Sequence, residues 1–293
     1  MPAAVITPTP GKESAAVLCY HRHMRFAWII AAASLACGCP HNGSYSQPAT
    51  LPTAKDVVAR LAKLRASRTS FRVQTTMDYW LGKQRVKGKV RVMGTSKRQV
   101  RFNAIKPDDT VLVDMACNGT DFTFVDQQNN CQLAGPCDKT SIASLLRVEL
   151  EPDDFHSFAQ GVPPVIEGAD GTVTWDAKHG QERVTLEGPA GKQVIVIDAR
   201  DNHFDVVAAE LRDPAGKVVW SVENSDFHDV KDVAGTPQRV PGKTRFKNPR
   251  QEADLLVDWL DEERAINLEI DAAKFTVPIP SGLSSCNGGS ISP

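Results

Sequence analysis

The sequence predicts a mainly β fold: a curved antiparallel sheet forming an incomplete β-barrel of about eleven strands, with an N-terminal helix and a helical lid insertion. Three observations lead there. Phe71 to Trp80 alternates Phe71, Val73, Thr75, Met77 and Tyr79 against Arg72, Gln74, Thr76 and Asp78, the period of a half-buried strand. Similar segments follow, punctuated by turn signals such as Lys106-Pro107-Asp108-Asp109, Asn118-Gly119 and Asp213-Pro214-Ala215-Gly216. Few stretches carry helical spacing, and one helix cannot cover so long a meander unless the sheet curls.

Thr53 is a helix N-cap for Ala54 to Ala66, where Val57, Val58, Leu61 and Leu64 recur at helical spacing and Lys55, Arg60, Lys63 and Arg65 take other faces. Strands are then expected at Phe71 to Trp80, Val86 to Met93, Arg98 to Ile105, Thr110 to Cys117 and, after the Asn118-Gly119 hairpin, Phe122 to Asp126. Ser141 to Leu150 and Pro152 to Ala159 read as short helices broken at Pro152, and Val162 to Ile166 as an extended apolar crossing. The β pattern resumes at Thr172 to Asp176, Glu182 to Glu187, Gln193 to Asp198, Phe204 to Arg212, Val218 to Val222, Thr236 to Phe246 and Asp254 to Asp261, ending near Phe275 to Ile279.

Short helices depend on packing for their stability. The insertion Ser141 to Gln160 therefore reads as a plug over the barrel mouth, with Leu145, Leu146, Phe155 and Phe158 facing a cavity that Val57, Leu61 and Leu64 also cover. Such a segment is expected to exchange amide hydrogens faster than the strands, and to slow if it closes over a ligand.

The N-terminus sets the compartment. Residues 24–39 read Met-Arg-Phe-Ala-Trp-Ile-Ile-Ala-Ala-Ala-Ser-Leu-Ala-Cys-Gly-Cys. A positive flank, an apolar run shorter than the roughly 20 residues of a membrane span, and small residues form a secretory signal. Its closing cysteine resembles a bacterial lipoprotein box, which implies cleavage and lipid attachment at Cys39, with Cys37 as the alternative. The expected organisation is a signal peptide over 1–38 (Met24 being an alternative start), a flexible tether over 39–52, one domain over 53–282 and a loose tail over 283–293. The product would be tethered to the bacterial cell envelope through its lipid anchor, at the outer membrane.

Four cysteines remain, Cys117, Cys131, Cys137 and Cys286, and an even count in an exported chain suggests disulfides. Cys131 and Cys137 flank a Gly-Pro turn and are expected to pair, leaving Cys117 for Cys286. Zinc is the competing reading, disfavoured by the spacing and the lack of neighbouring histidines.

Basic and acidic side chains nearly balance, 34 against 35, and no basic block interleaves with aromatics, which excludes nucleic acid as a partner. No catalytic residues, metal site or cofactor motif emerges, and the chain reads as a non-enzyme. His156 and His228 sit beside acids and phenylalanines but lack a nucleophile, and read as solvated loop histidines. Gly242-Lys243-Thr244 lacks the helix that a phosphate loop requires. Glu252, Asp254, Asp258, Asp261, Glu262 and Glu263 read as a solvated strand edge. Trp80, Trp175, Trp220 and Trp259 read as core.

The order of elements, closing on Ile270-Asp271-Ala272-Ala273-Lys274-Phe275-Thr276-Val277-Pro278-Ile279-Pro280-Ser281-Gly282, resembles the LolA/LolB-like superfamily of bacterial lipoprotein carriers and receptors over Leu51 to Gly282. The closing phrase is similar to that family's last strand. The resemblance implies an incomplete barrel around a hydrophobic cavity, lidded by helices, that takes up acyl lipid or lipoprotein acyl chains, possession of an anchor placing the chain nearer the receptor branch. The alternative is a structural or regulatory envelope lipoprotein that binds a protein partner and transfers nothing.

Overall fold

The computed structural model describes residues 44–146 and 150–286. The domain begins at a capping box: the Thr53 hydroxyl accepts from the Asp56 amide at 3.2 Å, and the Asp56 carboxylate accepts from the Thr53 amide at 3.1 Å. Helix α1 (Ala54–Ser67) follows, burying Ala54, Val57 and Leu61. Six strands come next: β1 (Ser70–Leu81), β2 (Gln84–Thr95), β3 (Gln99–Ile105), β4 (Val111–Asn118), β5 (Asp121–Asp126) and β6 (Cys131–Pro136). The insertion contains α2 (Lys139–Leu146) and α3 (Pro152–Phe158). Beyond it run β7 (Asp170–Asp176), β8 (Gln181–Gly188), β9 (Gly191–Asp198), β10 (Asp205–Arg212) and β11 (Val218–Ser225). The rest is β12 (His228–Lys231), β13 (Pro237–Val240), β14 (Lys243–Asn248), β15 (Ala253–Ile266) and β16 (Ser284–Ser285).

Fourteen strands form one sheet in the order β16-β6-β5-β4-β3-β2-β1-β15-β14-β11-β10-β9-β8-β7, and β12 and β13 form a separate ribbon. The long β15 joins the two meanders by pairing with both β1 and β14. The sheet is mainly antiparallel but does not close, so the fold is an open one with more strands than the eleven expected.

The curl follows from distances. The Phe155 ring lies 4.6 Å from Phe102 on β3, and the Phe158 ring lies 5.3 Å from Trp220 on β11. In the sheet order β3 and β11 are five strands apart, which is about 24 Å if flat. Two rings three residues apart on one helix cannot bridge that span, so the sheet wraps around α3.

Several expectations are corrected. The disulfides are Cys117–Cys137 and Cys131–Cys286, not Cys131–Cys137 and Cys117–Cys286. Gln132 to Pro136 is not a turn: Cys131 opens β6 and Cys137 lies just beyond its end, and an extended segment of that length holds its ends about 20 Å apart. Thr236 to Phe246 is two strands, separated at Pro241-Gly242. The acidic stretch around Asp254 belongs to β15, a central strand, with Asp254 paired to Arg245 at 2.6 Å and Asp258 4.0 Å from Lys243.

The closing phrase is not a sheet strand. Asp271 caps a 3-10 turn (Ala272–Phe275), and Val277 and Leu283 pack on Ala116 and Val125, a patch separate from the main core. Arg101 holds this strap by donating to the Lys274 carbonyl at 2.6 Å. Ahead of α1, Trp175 donates its indole N–H to the Tyr45 carbonyl at 3.1 Å, and Arg200 stands 5.4 Å from the Tyr45 ring.

Candidate functional site

The strands turn one apolar face inward. Phe71 and Val73 on β1, Val92 on β2, Phe102 on β3, Ile195 on β9 and Val257 on β15 are buried in one cluster with α1 and α3. Val57, Leu61, Phe155 and Phe158 are buried in this cluster, and Leu64 packs against it. The side chains of Leu145 and Leu146 lie outside the described residues, as do Cys37 and Cys39.

The rings of α3 fill the concavity rather than roof an empty space. Phe155 meets Phe102 edge-on, and Phe158 meets Trp220 and Phe246 edge-on at 5.3 and 5.6 Å. The crossing after α3 is pinned by Gln193, fully buried on β9. Its amide donates to the Pro164 carbonyl at 2.7 Å and accepts from the Ile166 amide at 3.0 Å. Two clefts open elsewhere: one of about 520 Å³ between Leu51, Arg60, Glu182 and Phe204, and one of about 450 Å³ beside Asn118 and Ala273.

Three arginines fasten the insertion. Arg98, in the β2–β3 turn, grips its root: the side chain donates to the Cys137 carbonyl at 3.2 Å and pairs with Glu151 at 3.1 Å, and its amide donates to Asp153. Arg65 on α1 pairs with Asp154 at 3.4 Å. Arg68, just after α1, donates to the carbonyl of Gln160 at the far end. None of these contacts belongs to the sheet's own hydrogen-bond ladders.

His156 is no solvated loop residue. It is 2 % exposed, its ring lies 5.6 Å from Phe71, and its Nε2 stands 2.9 Å from the Gln160 amide nitrogen, an arrangement in which the amide donates to an unprotonated ring. Gly94 makes this packing possible, because a Cβ there would come within 2.9 Å of Phe71. Burial, aided by Arg65, lowers the His156 pKa from 6.5 to about 4. The unfolded chain therefore binds more protons between those values, and stability is lost as pH falls from 6.5 towards 4. The full shift corresponds to about 3 kcal/mol. Asp154, raised by burial, pulls the other way. Urea midpoints measured from pH 7 to pH 4 should fall through this window, and His156→Gln should flatten the slope.

His228 is engaged locally, its Nδ1 2.7 Å from the Asp226 carbonyl oxygen. Among the described residues no three His, Cys, Asp or Glu side chains gather as a metal site. Sequence reasoning did not single out Arg68, Arg98, Gln160 or Gln193. No periodic signal marks them, because each acts on backbone or side chains far away in the chain.

No protein-family model matches the sequence, and no curated protein matches it. Solved structures do. A DUF1329 family protein from Desulfovibrio piger aligns with a TM-score of 0.50 and 13% identity, over 76% of this chain and 95% of that one. A Vibrio parahaemolyticus domain named for outer membrane lipoprotein sorting aligns with a TM-score of 0.50 and 13% identity, over 76% and 97%. A LolA superfamily protein from Nitrosomonas europaea has a TM-score of 0.48 and 10% identity, over 78% and 99%. At these identities the likeness to the DUF1329 protein and to the lipoprotein-sorting domain is one of fold.

Proposed function

We propose that this chain is a bacterial cell-envelope lipoprotein, anchored through Cys39 in the outer membrane, that shelters acyl lipid or lipoprotein acyl chains on its concave face. The observation that carries the reading is who fills that face. Phe155 and Phe158 belong to a short insertion fastened at a few points, and their removal would leave an apolar trough of Phe102, Trp220, Phe246 and their neighbours. An acyl chain entering it gains roughly 0.8 kcal/mol per buried methylene, enough over a full chain to offset displacement of two rings. The well-filled interior favours a second reading, an envelope protein whose surface binds a protein partner and whose core never opens.

Full-length protein purified from a bacterial envelope separates the two. Solvent extraction and mass spectrometry should release stoichiometric, non-covalently bound acyl lipid, and the N-terminal peptide should carry diacylglyceryl on Cys39. A lipid-free protein that takes up no added lipid leaves the partner-binding reading. An unmodified N-terminus removes the anchor.

A further inference from the structure

The far end of the insertion meets an arginine with no carboxylate of its own. Arg68 is 3 % exposed, and among the described residues it forms no salt bridge. Its Nη1 donates to the Gln160 carbonyl and its Nη2 to the Arg239 carbonyl at 2.6 Å, while its buried Nε has no hydrogen-bond partner. Arg239 commits its own guanidinium to both oxygens of Asp205, at 2.8 and 2.9 Å. Arg264, 8 % exposed, donates to the Pro241 carbonyl at 2.9 Å and lies 5.3 Å from the Trp259 ring. The two acceptor carbonyls, of Arg239 and Pro241, lie two residues apart in the chain, and Arg264 is near enough to act on the Arg68 charge.

A buried guanidinium is ordinarily matched by a carboxylate, because neutral carbonyls only partly offset its lost hydration. Burial, together with Arg264, lowers the Arg68 pKa to about 10, against the opposing pull of Asp205, whose two oxygens are already held by Arg239. One of its two acceptors belongs to the insertion. Gln160 ends the insertion, and the next residue, Gly161 (φ +78°), seats against Pro241 so closely that a Cβ there would lie 2.8 Å from the proline ring. Lifting α3 would take the Gln160 carbonyl from Arg68 and bare the guanidinium beside the apolar face.

We propose that Arg68, backed by Arg264, is a latent oxyanion site that receives the anionic head, phosphate or carboxylate, of an amphiphile whose chain displaces Phe158. This rests on the acyl-binding reading and adds a head-group preference to it. The planar fork of Arg68 suits a tetrahedral or carboxylate oxyanion with two parallel N–H donors, exchanging a neutral acceptor for a charged one. Trp259 under Arg264 connects the charged end to the trough, since Trp259 belongs to the same buried cluster as Phe158, Trp220 and Phe246.

Calorimetric titration of the full chain with dodecyl phosphate, dodecyl maltoside and inorganic phosphate tests it. Wild-type protein should bind dodecyl phosphate at least about tenfold more tightly than dodecyl maltoside, the scale of one charge-assisted hydrogen bond, and inorganic phosphate far more weakly than either. Arg68→Gln should bring the two amphiphiles to near-equal affinity, without weakening dodecyl maltoside, because the variant also loosens the insertion. Arg264→Gln should reduce the same ratio and serves if Arg68→Gln does not fold. Equal wild-type affinities overturn the proposal, as does a preference that survives both substitutions. Inorganic phosphate binding as tightly as dodecyl phosphate overturns it too, assigning the site to free anions. Absence of binding by either amphiphile defeats the acyl-binding reading itself.

Discussion

Replacing Cys131 and Cys286 together by alanine should cost the protein about 5 kcal/mol, read as a fall in the urea midpoint with a steeper slope, because the unbridged unfolded chain exposes more surface. The bridge spans 155 residues, and a loop that long removes much of the unfolded chain's freedom. The native side also loses, because the bridge fastens the strap. Cys286 donates its amide to the Gln132 carbonyl at 3.0 Å, and Ser284 and Ser285 pair parallel to β6. The double alanine variant should therefore expose amides of β4 and β5 beneath Val277 and Leu283 to faster exchange. Removing Cys117–Cys137, with a separation of 20, should cost less by the same argument, roughly 3 kcal/mol. Equal losses for the two bridges would contradict it.

Phe158→Ala should be the most damaging single substitution in the insertion, at about 3–5 kcal/mol for a buried phenylalanine. Phe158 is 6 % exposed and its ring contacts two aromatic residues on neighbouring strands, whereas Phe155 contacts one. The cavity left behind would be lined by Trp220 and Phe246, and such an apolar void stays dry and accepts small apolar ligands. The variant should accordingly take up dodecyl chains more readily than wild type while its sheet keeps its far-UV signature. A loss under 1 kcal/mol would mean that the ring is not an element of the core.

How much of this was legible in the sequence follows from where the physics is local. The alternation of Phe71, Val73 and Thr75 was readable because one face of β1 is covered, and the N-cap at Thr53 because a cap acts on the turn that follows it. The strand count fell short where the signal was not local. β6 was hidden behind a Gly-Pro pair, and the ribbon β12–β13 is half-polar and packs outside the main sheet. The acids of β15 looked like an exposed edge because their partners, Arg245 and Lys243, come from the neighbouring strand β14.

The disulfides failed for a geometric reason. Proximity in sequence favoured Cys131 with Cys137, and the extended backbone between them forbids it. The burial of Val57 and Leu61 followed from helical spacing and that of Phe155 and Phe158 from their being large apolar residues of a short insertion, signals that survive without tertiary information. His156, Gln160 and Arg68 had no such signal. Their burial depends on Gly94 admitting a ring and on a carbonyl 92 residues away accepting a guanidinium, and neither leaves a pattern in the chain.

The central claim is that α3 occupies the place of an acyl chain and gives it up. Amide hydrogen exchange of residues 150–161, with and without saturating dodecyl phosphate, tests this most directly. A lid closing over cargo would slow these amides, as the sequence pattern alone suggested. Because Phe155 and Phe158 already fill the trough, the structure instead predicts that bound ligand speeds their exchange, while β1, β2 and β15 keep their protection. Ligand bound at saturation with the α3 amides as protected as before would contradict the account.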